Sequence, residues 1–87
     1  MENHRVAVKE AEQEIRDIEM AHYVLLSLYR EYSVRFLNDL KNKDDYASKM
    51  RRIKQDMRYL TSKELIAKTN QLYLPILKNM MENQSGK

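Results

Sequence analysis

In the first half of the chain, mainly apolar residues recur at alternating spacings of three and four. This heptad pattern is typical of helices that pack on other helices. No Gly or Pro occurs before Pro75. The pattern therefore predicts one long helix over about residues 5–40. Its heptad positions are Val8, Ala11, Ile15, Ile18, His22, Leu25, Tyr29, Tyr32 and Phe36.

The apolar stripe of this helix changes width along its length. From Val8 to Ile18 it is one residue wide and lies among acidic residues, whereas from Ala21 onward it broadens into a wide apolar face. A narrow stripe suits contact with a single helix, and a broad face suits a core. We therefore expect the first part of the helix to be a projecting arm and the second part to carry the core.

The second half of the chain predicts two shorter helices, over about residues 45–60 and 62–82. The motif Thr61-Ser-Lys-Glu64 reads as a capping box that starts the third helix with Thr61 as its N-cap. Pro75 lacks a backbone donor, so we expect a kink there. Residues 83–87 form a polar tail that we expect to fray.

These elements predict a single all-α domain over residues 1–87, with one long N-terminal helix packed with two shorter helices. The pattern leaves open whether this is a three-helix bundle or a helical hairpin in which residues 45–82 form one bent helix. A three-helix core would leave the narrow stripe uncovered, and small domains without disulfides often gain stability by association. We therefore expect a homo-oligomer.

Composition supports this fold class and removes several functions. The chain has 87 residues, 43% of them hydrophobic and 33% charged, with one Gly, one Pro and no Cys. Too few turn residues are present for an all-β fold. We recognise neither a membrane span nor a signal peptide, so we expect a cytoplasmic protein without a membrane partner.

Charge is unevenly distributed along the chain. Residues 1–20 hold six acidic and three basic side chains, a net charge of −3, whereas residues 41–63 hold eight basic and three acidic ones, a net charge of +5. Folding the second helix back along the first would cover residues 22–40 rather than the acidic arm. The arm would then meet basic residues only in another subunit or another protein.

Two groups of residues are candidates for binding. The stripe positions Val8, Ala11, Ile15, Ile18 and His22 are candidates for contact with a protein partner or a second copy. The second group, Arg51, Lys54 and Arg58, shares one flank of the second helix and could bind the phosphates of a nucleic acid or nucleotide.

No pattern of catalytic residues is recognisable, so we expect no enzyme. Glu19 and His22 match the Glu-x-x-His step of di-iron helical proteins, but the further inward carboxylates of such a site are missing. The only Gly, Gly86, lies in the tail and cannot build a phosphate-binding loop. We therefore expect no metal and no cofactor.

In size and composition the chain resembles the small all-helical proteins that bacteriophages and mobile elements encode to inhibit or redirect a host factor. This resemblance implies an inhibitor or regulator that binds a host protein. The favoured hypothesis is thus a non-catalytic protein-interaction module. The alternative is nucleic-acid or nucleotide binding through the basic second helix.

Overall fold

Helices make up nearly all of the described chain. The computed structural model describes the backbone of residues 2–59 and 61–85 and the side chains of residues 5–59 and 61–82. No strand occurs within these ranges, which confirms the all-α prediction. The α-helices are α1 (Glu2–Asn38), α2 (Lys43–Asp56), α3 (Lys63–Lys68) and α4 (Leu74–Ser85).

Short segments of other helical geometry join these elements. One-turn 3₁₀ segments cover Leu40–Asn42 and Met57–Tyr59, and a π-helical segment, Thr69–Tyr73, makes α3 and α4 continuous. The second and third helices are therefore separate, as in the three-helix alternative. α2 ends at Asp56, before residue 60, the predicted end of the second helix. Residue 60 and the last two tail residues lie outside the described residues, while α4 extends to Ser85.

The N-cap of α3 is Ser62 and not Thr61, so the capping-box prediction was wrong by one residue. The Ser62 side-chain oxygen accepts a hydrogen bond from the Leu65 backbone N–H at 3.4 Å. Thr61 lies in the preceding turn. Ser62 has the extended backbone that an N-cap requires, and its hydroxyl satisfies one of the free N–H groups of the first turn.

The irregularity that we expected at Pro75 lies in the turn before it. The Leu74 N–H donates to the carbonyl of Thr69, five residues earlier, which widens the helix into a π-turn. Gln71, whose carbonyl the proline ring would meet in a regular α-helix, lies within this widened turn. The Thr69 side chain is fully buried, and its hydroxyl donates to the Leu65 carbonyl at 2.8 Å.

The core joins the second half of α1 to all later helices. Four of its buried residues belong to α1 and one to α2, and the other three come from the helical segment that follows residue 62. They are Val24, Leu25, Leu28, Tyr32, Ile53, Leu65, Tyr73 and Leu77. On α1 the first buried residue is Ala21, at 1% exposure. The core therefore begins about halfway along α1.

The first part of α1 projects beyond this core as an arm, as the narrow stripe predicts. All side chains of residues 5–16 are exposed. The molecule measures 60 × 30 × 16 Å, and its radius of gyration is 16.1 Å. A compact domain of this length would have a radius of gyration of about 12 Å. We call residues 5–20 the arm.

A polar cluster ties the third helical segment to α2. The Tyr73 hydroxyl donates a short hydrogen bond to the Asp56 carboxylate, and the Lys68 Nζ lies 3.2 Å from the same carboxylate oxygen. Burial raises the pKa of the Tyr73 hydroxyl well above its usual value, and the hydrogen bond to Asp56 and its negative charge raise it further. The cluster is thus built for a protonated tyrosine.

This cluster predicts a loss of stability at high pH. Because the folded-state pKa of Tyr73 is raised, its contribution is complete below pH about 10, the pKa of an unfolded tyrosine, and decreases as the pH rises further. Tyr73→Phe should lower the free energy of unfolding at pH 7 by about 1 kcal/mol, because it removes one hydrogen bond. The variant should also lose less stability than the wild type between pH 10 and 11.

Urea denaturation followed by circular dichroism at pH 7, 10 and 11 measures both effects. Tyr59→Phe is the matched control, because Tyr59 is 65% exposed and should behave as the wild type does. Equal pH dependence in the wild type and Tyr73→Phe would contradict the assignment of this role to Tyr73.

Candidate functional site

The first candidate surface is the arm stripe, defined as Val8, Ala11, Ile15 and Ile18. Val8 is 44% exposed and Ile15 is 54% exposed, while Ala11 is exposed and Ile18 is half-buried. Heptad spacing aligns the four side chains along one side of a continuous helix. The structure thus places a largely exposed apolar row on the arm.

His22 lies at the end of the arm stripe and outside the core. Its side chain is exposed, whereas the neighbouring Ala21 is buried at 1% exposure. Successive residues are about 100° apart around a helix, so Ala21 faces the other helices and His22 does not. His22 therefore remains available to a partner together with the stripe.

The second candidate surface is an open groove of about 480 Å³ between α1 and α2, which we call the α1–α2 groove. Its floor consists of Tyr29, Phe36, Ala47 and Met50. Its rim consists of Lys43, Asp44, Arg51 and Lys54. The groove is therefore apolar at its base, with three cations and one carboxylate at its edge.

The structure divides the predicted basic group. Arg51 and Lys54 both line the α1–α2 groove, whereas Arg58 does not. The reason is that α2 ends at Asp56, so Arg58 lies in the 3₁₀ segment Met57–Tyr59 and no longer follows the helical spacing. Sequence reasoning treated the helix as continuous to residue 60.

Lys43 is the groove cation that sequence reasoning missed. Its Nζ lies 5.3 Å from the centre of the Phe36 ring, within the range of a cation–π contact. The spacing of Lys43, Ala47, Met50 and Lys54 is four, three and four, which would have placed Lys43 on the same flank as Lys54. Lys43 precedes residue 45, where the sequence predicts that the second helix begins, so the predicted basic group does not include it.

Two lysines on or near α2 form ion pairs with described side chains, whereas two cations of the groove do not. Lys49 lies 3.2 Å from Asp45, and Lys68 lies 3.2 Å from Asp56. Among the described side chains, neither Arg51 nor Lys54 forms an ion pair. Within the part of the chain that the structure describes, these two groove cations thus have no ion-pair partner.

The described part of the chain contains no metal site and no membrane span. No three His, Asp or Glu side chains there come together as a metal site. None of the helices described is both long enough and apolar enough to cross a membrane. Comparison of the chain with protein-family models, curated proteins and solved structures finds no match.

The exposure of the arm stripe predicts a contrast in stability along α1. Leu25→Ala should lower the free energy of unfolding by about 2–5 kcal/mol, because it leaves a cavity in the core. Ile15→Ala, at a position that is 54% exposed and outside the core, should change it by less than about 0.5 kcal/mol in dilute solution. Urea denaturation at low micromolar concentration measures both variants. A loss of several kcal/mol for Ile15→Ala would show that the arm is packed in the single chain.

Proposed function

We propose that the protein is a non-catalytic helical interaction module that binds a protein partner through the arm stripe. The observation that carries this proposal is the row of apolar side chains left uncovered on the arm, with Val8 and Ile15 about half exposed. Anchors spaced by three, four and seven residues are the pattern by which amphipathic helices bind apolar grooves.

Apolar contact supplies most of the affinity in this proposal. Burying an Ile or Val side chain contributes about 1.5–3 kcal/mol, whereas an exposed ion pair contributes only about 0.2–1 kcal/mol. The acidic residues of the arm then steer the approach of a basic partner more than they hold it. A homo-oligomer and a complex with a different protein would both use this surface.

The resemblance to small helical phage and mobile-element proteins suggests which class of partner the arm binds. An inhibitor or regulator of a host protein needs a binding surface and no catalytic group. A rigid arm that presents anchors to a groove on the target is consistent with this role. We therefore retain a host protein as the proposed partner class.

A second candidate function is supported by the α1–α2 groove. Arg51 and Lys54 are free of ion pairs among the described side chains, and Tyr29 and Phe36 lie beside them. Cations that bind phosphates and aromatic rings that stack on bases are the two elements of single-stranded nucleic-acid binding. Nucleic-acid or nucleotide binding through this groove is the alternative proposal.

The main proposal predicts that apolar substitutions in the arm affect binding more than charge substitutions do. Affinity capture from the native host, with mass spectrometry, identifies the partner, and calorimetry then measures its affinity. Ile15→Ala or Ile18→Ala should weaken binding by about tenfold, the equivalent of 1.4 kcal/mol. The matched controls Glu12→Gln and Glu14→Gln should weaken it by less than about threefold.

The alternative predicts the opposite pattern in the same assay. Charge reversal at Arg51, Lys54 and Arg58 would then abolish binding while the arm variants remain active. Affinity for an oligonucleotide would fall steeply with salt, because each phosphate contact releases counterions. If only the basic substitutions matter, the alternative replaces the main proposal.

A further inference from the structure

The arm stripe and the α1–α2 groove lie along one side of α1. Val8, Ile15, His22, Tyr29 and Phe36 are separated by seven residues each. A straight helix drifts by about 20° per seven residues, about 40° between Ile15 and Tyr29, so this side of the arm leads toward the groove. The first three of these positions belong to the stripe or its end, and the last two to the groove floor.

Acidic residues form a second edge of the arm. Glu10, Glu14 and Asp17 follow a four-three spacing that continues to the buried Ala21 and Val24. They therefore lie on the side of α1 toward which the other helices pack further along. Among the described side chains none of the three forms an ion pair. We call Glu10, Glu14 and Asp17 the acid edge.

The arm and the groove match in length and in charge. The stripe from Val8 to Ile18 spans about 15 Å along its axis, and the groove rim from Lys43 to Lys54 spans about 17 Å along α2. The arm has an apolar stripe with an acid edge, and the groove has an apolar floor with a basic rim. Each surface thus has the properties of a partner for the other, but one chain cannot bring its own pair together.

We infer that the partner of the arm is a second copy of this chain, paired antiparallel along α1 so that each arm lies in the α1–α2 groove of the other. The two-fold axis passes near His22, midway between Ile15 and Tyr29. The inference rests on the proposed function, in which the arm stripe is the interaction surface, and it describes the homo-oligomer that uses this surface when no host protein is bound.

A parallel arrangement would not bring these surfaces together. It would set arm against arm, and residues 5–20 carry five acidic and three basic side chains in each copy, a net charge of −2. An antiparallel two-fold axis instead sets each arm beside the groove, with the acid edge of one chain and α2 of the other on the same side of the pair. The contact of Lys43 with Phe36 fixes the level of α2 along α1. Asp17 then lies at the level of Arg51 of the second copy.

The two-fold symmetry also halves the surface area that each arm–groove contact must bury to form a stable dimer. A stable interface buries about 1,600 Å² in total, counting both partners. A two-fold dimer contains the same contact twice. Each arm and groove together then need to bury only about 800 Å², which suits a helix of three to four turns lying along a groove.

Cysteine cross-linking tests the register, because the chain has no Cys of its own. Ala11→Cys and Ala47→Cys are made as separate full-length chains, mixed and mildly oxidised. The arrangement places Ala11 of one chain beside Ala47 of the other, so the mixed disulfide should exceed the Ala11→Cys homodimer at least fivefold. Lys9→Cys, on the opposite side of the arm, is the matched control and should form little mixed disulfide with Ala47→Cys.

Charge exchange tests the pairing of acid edge and groove without requiring disulfide geometry. One variant carries Glu10→Lys, Glu14→Lys and Asp17→Lys, and the other carries Lys43→Glu, Arg51→Glu and Lys54→Glu. Each alone should self-associate at least tenfold more weakly than the wild type in sedimentation, because like charges then face each other. An equimolar mixture should restore dimers, since both contacts of the mixed pair are complementary.

A third variant controls for net charge alone. Lys41→Glu, Lys63→Glu and Lys78→Glu reverse three exposed cations outside the groove, and mixing this variant with the acid-edge variant should not restore dimers to the same extent. Circular dichroism confirms that each variant is helical before it is compared.

The outcomes separate this inference from the proposed function. A dominant Ala11→Cys homodimer, or a mixture that fails to restore dimers, would overturn the arm-in-groove arrangement. A wild-type monomer at tens of micromolar would overturn it too. The proposed function would survive either result if Ile15→Ala still weakens the host complex, and would fail if Ile15→Ala and Ile18→Ala have no effect on any complex.

Discussion

The length of α1 relative to the chain that follows it is the constraint on which the rest of the structure depends. α1 has 37 residues, which gives it a length of about 55 Å. α2 has 14 residues and a length of about 21 Å, and the chain then turns back. The later helices therefore cover α1 only from Ala21 onward. The arm is exposed because the chain turns back after Asp56, before α2 reaches the arm.

Within the covered half, polar contacts complement the apolar core. Tyr73 and Lys68 converge on Asp56, so the last residue of α2 is held by the segment that follows the turn. The π-turn lies between these two partners and widens the helix just before Pro75. Thr69 is the first residue of the π-turn, and its hydroxyl donates a hydrogen bond to the Leu65 carbonyl. The segment that carries the irregularity is thus anchored at both ends.

The helical period predicts the fold class, the length of α1 and the change from arm to core, because all three depend on spacing within one helix. The end of α2 at Asp56 and the division of Arg58 from Arg51 depend on a turn whose position the period does not define. The heptad places His22 at the end of the stripe, and the structure leaves it exposed there, because the side of α1 that packs on the other helices is that of Ala21. The groove arises from two helices, so no single stretch of sequence contains it.

The acid edge explains why a helix cannot pack on the arm in the way that the later helices pack on the second half of α1. Glu10, Glu14 and Asp17 occupy the side of α1 that further along carries Ala21 and Val24. A helix that approached the arm from that side would bury carboxylates, at a cost of several kcal/mol each unless they were paired. Successive residues lie about 100° apart around a helix axis. Because Glu14 and Ile15 are adjacent in sequence, the apolar stripe lies about 100° around α1 from this edge. Whatever covers the arm must therefore combine an apolar surface for the stripe with cations for the edge, and within the described chain the α1–α2 groove combines both properties.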